Sequence, residues 1–308
     1  MREWVVPLVL FAGLAAAPFA GFGEGYALTL LARTMILGMA AVGLALLVGG
    51  AGLVSLGHAA TLGVGAYAVV VLDANGITDA TTVLPVAIAA AALFALATGA
   101  ISLRTSGVHF IMITLAFGQM AFFTASSLAA YGGDDGYTLF SRTEVAGTRL
   151  LEDRLAFHYV CLGLLGLTYL FCRAALAARF GRVLRAAREN ALRVRAVGLD
   201  PYPYRLLAYV LAGAIGGLAG VLLANAAEFV APSYLSWQRS GELLFMVILG
   251  GLGSLHGAIL GALAYVLLEE WLSHLTEHWR MIFGPLLILS VLFFRGGLAG
   301  LLAPRQRR

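Results

Sequence analysis

The sequence predicts an all-α integral membrane protein, a polytopic bundle of about 8–10 transmembrane helices with glycine-broken or re-entrant segments. Three observations predict it. Apolar residues make up 61% of the 308-residue chain and charged ones only 12%, about half the charge of a water-soluble domain. The mean hydropathy is +0.91. Apolar runs of membrane-crossing length succeed one another along the chain, and its arginines crowd into one segment between two of those runs. The length suits a single transmembrane domain, 1–308. All 20 basic residues are arginine. Without a lysine, Schiff-base catalysis and a phosphate-loop lysine are excluded.

The elements follow in order. Run 5–22 comes after Arg2 and trails into small residues, as a cleaved signal peptide does. Another span follows almost at once, so it is read as an uncleaved first crossing. Run 26–48 ends in Gly49-Gly50-Ala51-Gly52, and a short apolar piece, 59–72, follows Ser55-Leu56-Gly57-His58. Runs 83–103, 107–130 and 155–177 each read as a complete crossing. Past the arginines, 206–227 is another, 242–268 is apolar but broken by glycines, and 281–302 is the last.

The loops set the orientation, because arginine-rich short loops are retained in the cytoplasm. Residues 131–154 hold Asp134, Asp135, Glu144, Glu152 and Asp153 against three arginines, and 269–280 hold three acids against one. Those loops belong outside. Arg104, the arginine-rich segment and the tail with Arg305, Arg307 and Arg308 belong inside, with both termini cytoplasmic. Run 242–268 must then start and finish outside. Its Gly250-Gly251-Leu252-Gly253-Ser254-Leu255-His256-Gly257 can turn the chain as a re-entrant hairpin or as two short crossings.

That stretch also echoes an earlier one. Gly49 to Gly52, Ser55 to His58 and Gly65-Ala66-Tyr67 find counterparts in Gly250 to Gly253, Ser254 to His256 and Gly261-Ala262, with Tyr265 a little later. Matching glycine breaks in two halves are a transporter pattern, while the blander reading is that glycine, at 38 residues, only allows close helix packing. Ser55, His58, Thr114, Gln119, Gly250, Gly251 and Ser254 are the candidates for the pathway or the helix breaks.

Eight arginines lie between Arg173 and Arg205, opposed only by Glu189 and Asp200. Helix formers predict one helix over 182–197, closed by Gly198 and Leu199 before Pro201. Arg185 with Glu189, and Glu189 with Arg193, are spaced to pair. Val183, Ala187, Val194 and Val197 make a thin apolar stripe, suited to another protein's groove. The alternative is a basic loop that touches lipid phosphates.

The chain resembles the permease subunits of the high-affinity branched-chain amino-acid ABC importers, in particular their M-type member. The resemblance is carried by Gly43-Leu44-Ala45-Leu46-Leu47-Val48-Gly49, by Gly52 to Ala59, by Thr114-Leu115-Ala116-Phe117-Gly118-Gln119 and by Gly132-Gly133-Asp134-Asp135-Gly136. It continues through Gly181-Arg182, Arg188-Glu189-Asn190, Gly198-Leu199-Asp200, Gly217-Leu218-Ala219-Gly220 and Gly250 to Ser254. It implies that the loop 178–205 carries a coupling helix on which a cytoplasmic ATPase docks, with Arg182, Arg185, Arg188, Glu189, Asn190 and Gly198 at or near the contact. Ala187 departs from the isoleucine usual there. The resemblance further implies a bacterial inner-membrane location, a second homologous permease, two ATPase subunits and a periplasmic binding protein. The chain would itself be no enzyme.

Urea and short-amide permeases of the same family share these motifs. A secondary carrier or channel is the alternative from another class, but apart from Arg33 the spans hold almost no charge for proton coupling. His274 and His278, with Glu270 and Glu277 nearby, have a spacing that zinc can use, and an outer loop without a metal is the preferred reading. Asn225 and Glu228 close the list of polar candidates. Cys161 and Cys172 are about 16 Å apart along one helix and read as small buried residues. No cofactor, metal or nucleic acid is expected; the lipid bilayer is.

Overall fold

The computed structural model describes residues 2–19, 25–145, 147–275, 278, 281–285 and 296–302. Among them the fold is helical throughout apart from one two-residue strand pair. The helices are α1 (Arg2–Ala16), α2 (Gly25–Ala45), α3 (His58–Ala74), α4 (Ala80–Ser102), α5 (Val108–Ser127), α6 (Arg154–Ala177), α7 (Arg179–Ala196), α8 (Pro201–Ala227), α9 (Trp237–Gly250) and α10 (Leu255–Leu275). A last helical piece is Gly297–Leu302. Among the described residues six helices are long and apolar enough to cross a membrane, with α1 and α3 shorter apolar helices beside them. This is an all-α polytopic membrane protein.

Helix α2 is the axis. Its crossing, Gly25–Ala51, is 89% buried, against 22% for α5 and 28% for α4 and α6. Met35, Ile36, Met39, Leu44, Leu46 and Leu47 are wholly enclosed. An apolar helix that is buried all round marks the centre of a bundle, and the helices with open apolar faces mark its rim. Helix α1 lies along α6, where the Leu14 carbonyl is 3.0 Å from His158 Nε2 and Phe11 stacks on Tyr169 at 5.7 Å.

The two ends of the bundle differ in charge. At one end, residues 128–153 fold over the top of α8. Strand β1 (Tyr137–Thr138) pairs antiparallel with β2 (Phe229–Val230). Asn225 accepts a hydrogen bond from Thr143 N at 2.7 Å, and Arg142 holds Glu228 at 2.9 Å while its ring neighbour Phe157 lies 5.2 Å below. At the other end, where α2 and α6 finish and α8 begins, lies α7 with its arginines.

Run 242–268 is resolved as an antiparallel helical hairpin. Helix α9 is only 14 residues long, too short to span a bilayer core of about 30 Å. It turns at Gly251–Ser254 into α10. The pairing is glycine-lined: a Cβ on Gly250 would run into the Gly257 carbonyl, one on Gly257 into Gly250, and one on Gly261 into Met246. Side-chain-free faces let the two backbones touch.

Among the described residues the chain also leaves the helix at 52–57 and at 228–236, the latter containing β2 and the short turn Pro232–Leu235. Both flank α3. Gly63 packs against Leu235, and Ala59 N donates to Ser240 Oγ at 3.0 Å. Backbone groups released where a helix stops need such partners.

Close approach of α3 and α8 depends on glycine as well. A Cβ on Gly65 would collide with the Gly217 carbonyl, and one on Gly220 with Leu62. Gly65→Ala is therefore expected to destabilise the detergent-solubilised protein by about 1–3 kcal/mol, read as a lower melting temperature. Gly163→Ala, in a helix with open space around it, should leave melting unchanged or raise it slightly.

Candidate functional site

The arginine-rich segment is two helices, not one. Asn190 sits in extended conformation (φ −157°, ψ 101°) in the middle of α7. Its Oδ1 accepts from Arg193 N at 3.0 Å, which makes Asn190 the N-cap of a second, short helix. The continuous helix over 182–197 is corrected accordingly. Its C-terminal end is as the sequence reads: Gly198 has φ +83°, and Leu199 N returns to the Val194 carbonyl at 3.2 Å. The start is abrupt, because a Cβ at Gly181 would strike the Leu176 backbone one turn back.

The expected stripe is also redistributed. Leu184, Ala187 and Val194 are buried against the spans with Gly181. Leu192 and Val197 point the other way, 74% and 75% exposed, with Leu199 beside them. Arg182, Glu189 and Arg193 are exposed among them. The segment thus shows the outside an apolar ridge between charges.

Its arginines do more than face solvent. The Arg185 guanidinium donates to the Leu176 carbonyl at 3.0 Å, at the end of α6, where the sequence had suggested a pair with Glu189. Arg188 Nη1 donates to the Gly49 carbonyl at 2.6 Å. Arg205, from the first turns of α8, donates to the Ala187 carbonyl at 2.9 Å. A helix exposes its last carbonyls and carries partial negative charge at that end, so guanidinium groups are favoured there.

Gly49 belongs to a wide turn. Leu46–Ala51 is π-helical, and Gly52, in the left-handed region at φ 70°, sends its N–H to Leu47 O. Gly52 also packs under Arg188, whose Cγ a Cβ would approach to 2.8 Å. On its other side, a Cβ on Gly49 would come within 2.7 Å of Gly253 Cα. The two glycine-broken segments matched in the sequence therefore meet. Gly250 ends α9, Gly251 (φ 114°) makes the turn, and Ser254 caps α10 by accepting from Gly257 N at 3.0 Å. Gly251 in turn lies against Gly296 and Gly297.

A second polar group surrounds the start of α3. Ser55 and Thr114 are fully buried, Ser55 Oγ accepting from Gly57 N at 3.2 Å and Thr114 Oγ1 from Leu56 N at 3.3 Å. His58 is the first residue of α3, 2% exposed, and its Nε2 has no hydrogen-bond partner among the described residues. Gln119 is half-buried one turn and a half from Thr114 on α5. Ser240, which the sequence reading missed, caps α3 in trans through Ala59 N. A single serine in the polar stretch Gln238 to Glu242, ahead of the apolar run, carries no signal of that role.

Beside this group, α3, α4 and α5 line an open cavity of about 450 Å3. Val64, Tyr67, Phe94, Phe117, Met120 and Leu235 line it, so its walls are apolar. Charges lie nearer the acidic end. Arg33 on α2 holds Glu269 on α10 at 3.0 Å, and Arg239 holds Glu242 at 2.6 Å. His274 is 2.9 Å from Glu270, which also accepts from Tyr26. Glu277 lies outside the described residues, and these hold no group of three metal-ligating side chains. Cys161 and Cys172 are free and buried.

The family model described as the branched-chain amino acid transport system / permease component matches residues 26–292. The high-affinity branched-chain amino acid transport system permease protein LivM of Escherichia coli K12 is 29% identical over 299 residues, covering 89% of this chain and 70% of the relative. The probable branched-chain amino acid transport permease protein LivM of Methanocaldococcus jannaschii is 32% identical over 46% of each chain. The E. coli K12 permease protein LivH is 31% identical over 40% of each. No solved structure matches the chain.

Ser240→Ala would leave the Ala59 N–H buried without an acceptor. The expected loss is about 1–3 kcal/mol of stability, measurable by thermal melting in detergent. For the ion pair between α2 and α10, Arg33→Gln and Glu269→Gln should each destabilise. In a double-mutant cycle the two should be less costly together than summed, by about 0.5–3 kcal/mol.

Proposed function

Because the chain belongs to the permease family of the branched-chain amino acid transport system, we propose that it is a membrane subunit of an ATP-binding cassette importer for branched-chain amino acids. In this reading the arginine-rich end faces the cytoplasm, as the positive-inside rule requires. The segment 178–205 is the coupling loop. Two ATPase subunits dock there and on a homologous second permease, and a periplasmic binding protein delivers substrate at the acidic end. ATP is hydrolysed on the ATPases, so this chain performs no bond chemistry.

The observation that carries the reading is the surface of α7: Leu192 and Val197 stand exposed between Arg182, Glu189 and Arg193, on a helix pair clamped to the ends of the spans. A short amphipathic helix held at a membrane face fits a groove on a soluble partner. The apolar walls of the cavity between α3, α4 and α5 suit cargo with an aliphatic side chain. The names of the relatives support the same cargo.

In vesicles holding the full complex and loaded binding protein, uptake of leucine, isoleucine and valine should require ATP and both permeases. Ion-gradient-driven uptake by this chain alone would overturn the reading. Leu192→Asp places a charge on the ridge; loss of the side chain's burial, worth about 1.5–3 kcal/mol, should lower ATPase retention in co-purification by about tenfold or more. Insertion of the chain in the membrane should be unaffected.

A further inference from the structure

We propose that Arg188 is a positioning residue that joins the coupling segment to the broken end of α2 and, through Gly49, to the turn between α9 and α10. The proposal rests on the importer reading above and adds a route by which movement of α7 reaches the spans.

The route is a chain of contacts. Arg188 stands two residues before the break at Asn190, so it lies on the last turn of the first half of α7. Its guanidinium reaches back across the boundary to the Gly49 carbonyl at 2.6 Å, and its stem covers Gly52. A hydrogen bond from a cation to a helix-terminal carbonyl is a strong one, and here it opposes the negative pole of the most buried helix in the bundle. Gly49 passes the contact on, because its Cα face lies directly on Gly253 with no room for a side chain. Gly251, two residues before, rests on Gly296 and Gly297.

The elements joined are those able to change shape. The end of α2 is π-helical, a rare geometry found mostly as single-turn bulges at functional sites. The turn after α9 contains Gly251 and Gly253 at positive φ. Packed contacts between bistable elements convert small displacements into rearrangement, whereas a bond from α7 to rigid α-helix would only anchor it. Arg185 provides the contrast. It bonds the Leu176 carbonyl, next to α7 in sequence and at the end of a regular helix, so it anchors the loop without reaching the breaks.

The test uses the full complex in vesicles and compares Gly49→Ala, Arg188→Gln and Arg188→Lys, measuring retained ATPase, ATP hydrolysis and uptake of a branched-chain amino acid. Gly49 is buried away from the outer surface of α7, so Gly49→Ala should keep the ATPases bound and hydrolysing while substrate moved per ATP falls about 5-fold or more. Arg188→Gln should lower the same ratio, and Arg188→Lys, which keeps a cationic donor, should restore most of it. Melting and membrane abundance of each variant identify any that fail to fold, and the remaining variant then decides. If uptake falls only in proportion to ATPase retention, Arg188 is a surface contact and the proposal is wrong. It is equally wrong if the uptake-to-hydrolysis ratio is unchanged in Gly49→Ala. Failure of the importer reading looks different, since the unmutated complex would then show no ATP-dependent uptake.

Discussion

The fold depends on what becomes of backbone groups where helices stop inside or at the edge of an apolar medium. Water is not there to bind them, so each must find a partner from the protein. The carbonyl of Gly49 finds Arg188, that of Leu176 finds Arg185, and the N–H of Ala59 finds Ser240. Each partner comes from another element. The broken helices therefore do not weaken the bundle but connect its parts, because a helix end satisfied in trans fixes two elements against each other.

This changes the meaning of the arginines. A positive segment beside a span is explained by topology alone, and topology says nothing about where any one side chain points. In the folded chain, helix termini with exposed carbonyls collect at the same end as those arginines, since α2 and α6 both finish there. Two demands, retention of positive charge on one side and neutralisation of helix C-termini, are then met by the same residues. Arg205 completes the arrangement by bonding the Ala187 carbonyl next to the Asn190 break, which holds the two halves of α7 at the start of α8.

Much of the architecture was legible in the sequence because hydropathy and charge are local quantities. The spans over 26–48, 83–103, 107–130, 155–177 and 206–227, the acidic loop 131–154 and the arginine-rich segment can be found without knowing any contact, while run 281–302 lies partly outside the described residues. The parity conflict at 242–268, with its glycine run, indicated a turn within the bundle, and the hairpin of α9 and α10 is that turn. What was not legible depends on three-dimensional neighbours. Periodicity and i,i+4 charges described 182–197 as one helix, yet an asparagine in the middle of it is a preferred N-cap, and that residue type was the available signal for the break. The cap by Ser240 offered no comparable sign, because it joins residues about 180 positions apart, and the glycine echo marked Gly49 and Gly253 as alike without saying that they touch.

The glycine echo between the two parts of the chain acquires a physical reason from that contact. Two of the matched glycines serve close packing within their own neighbourhoods, Gly65 against Gly217 and Gly261 against Met246. Gly49 and Gly253 differ: the end of α2 and the turn after α9 are against each other, at the end of the bundle that carries α7. Glycine at both removes the side chains that would hold the helices apart, and the positive φ of Gly52, Gly251 and Gly253 lets both chains turn in that space. Two breaks in direct contact must move together or separate. With Arg188 bonded to one of them, motion of the exposed segment has a mechanical reason to reach both.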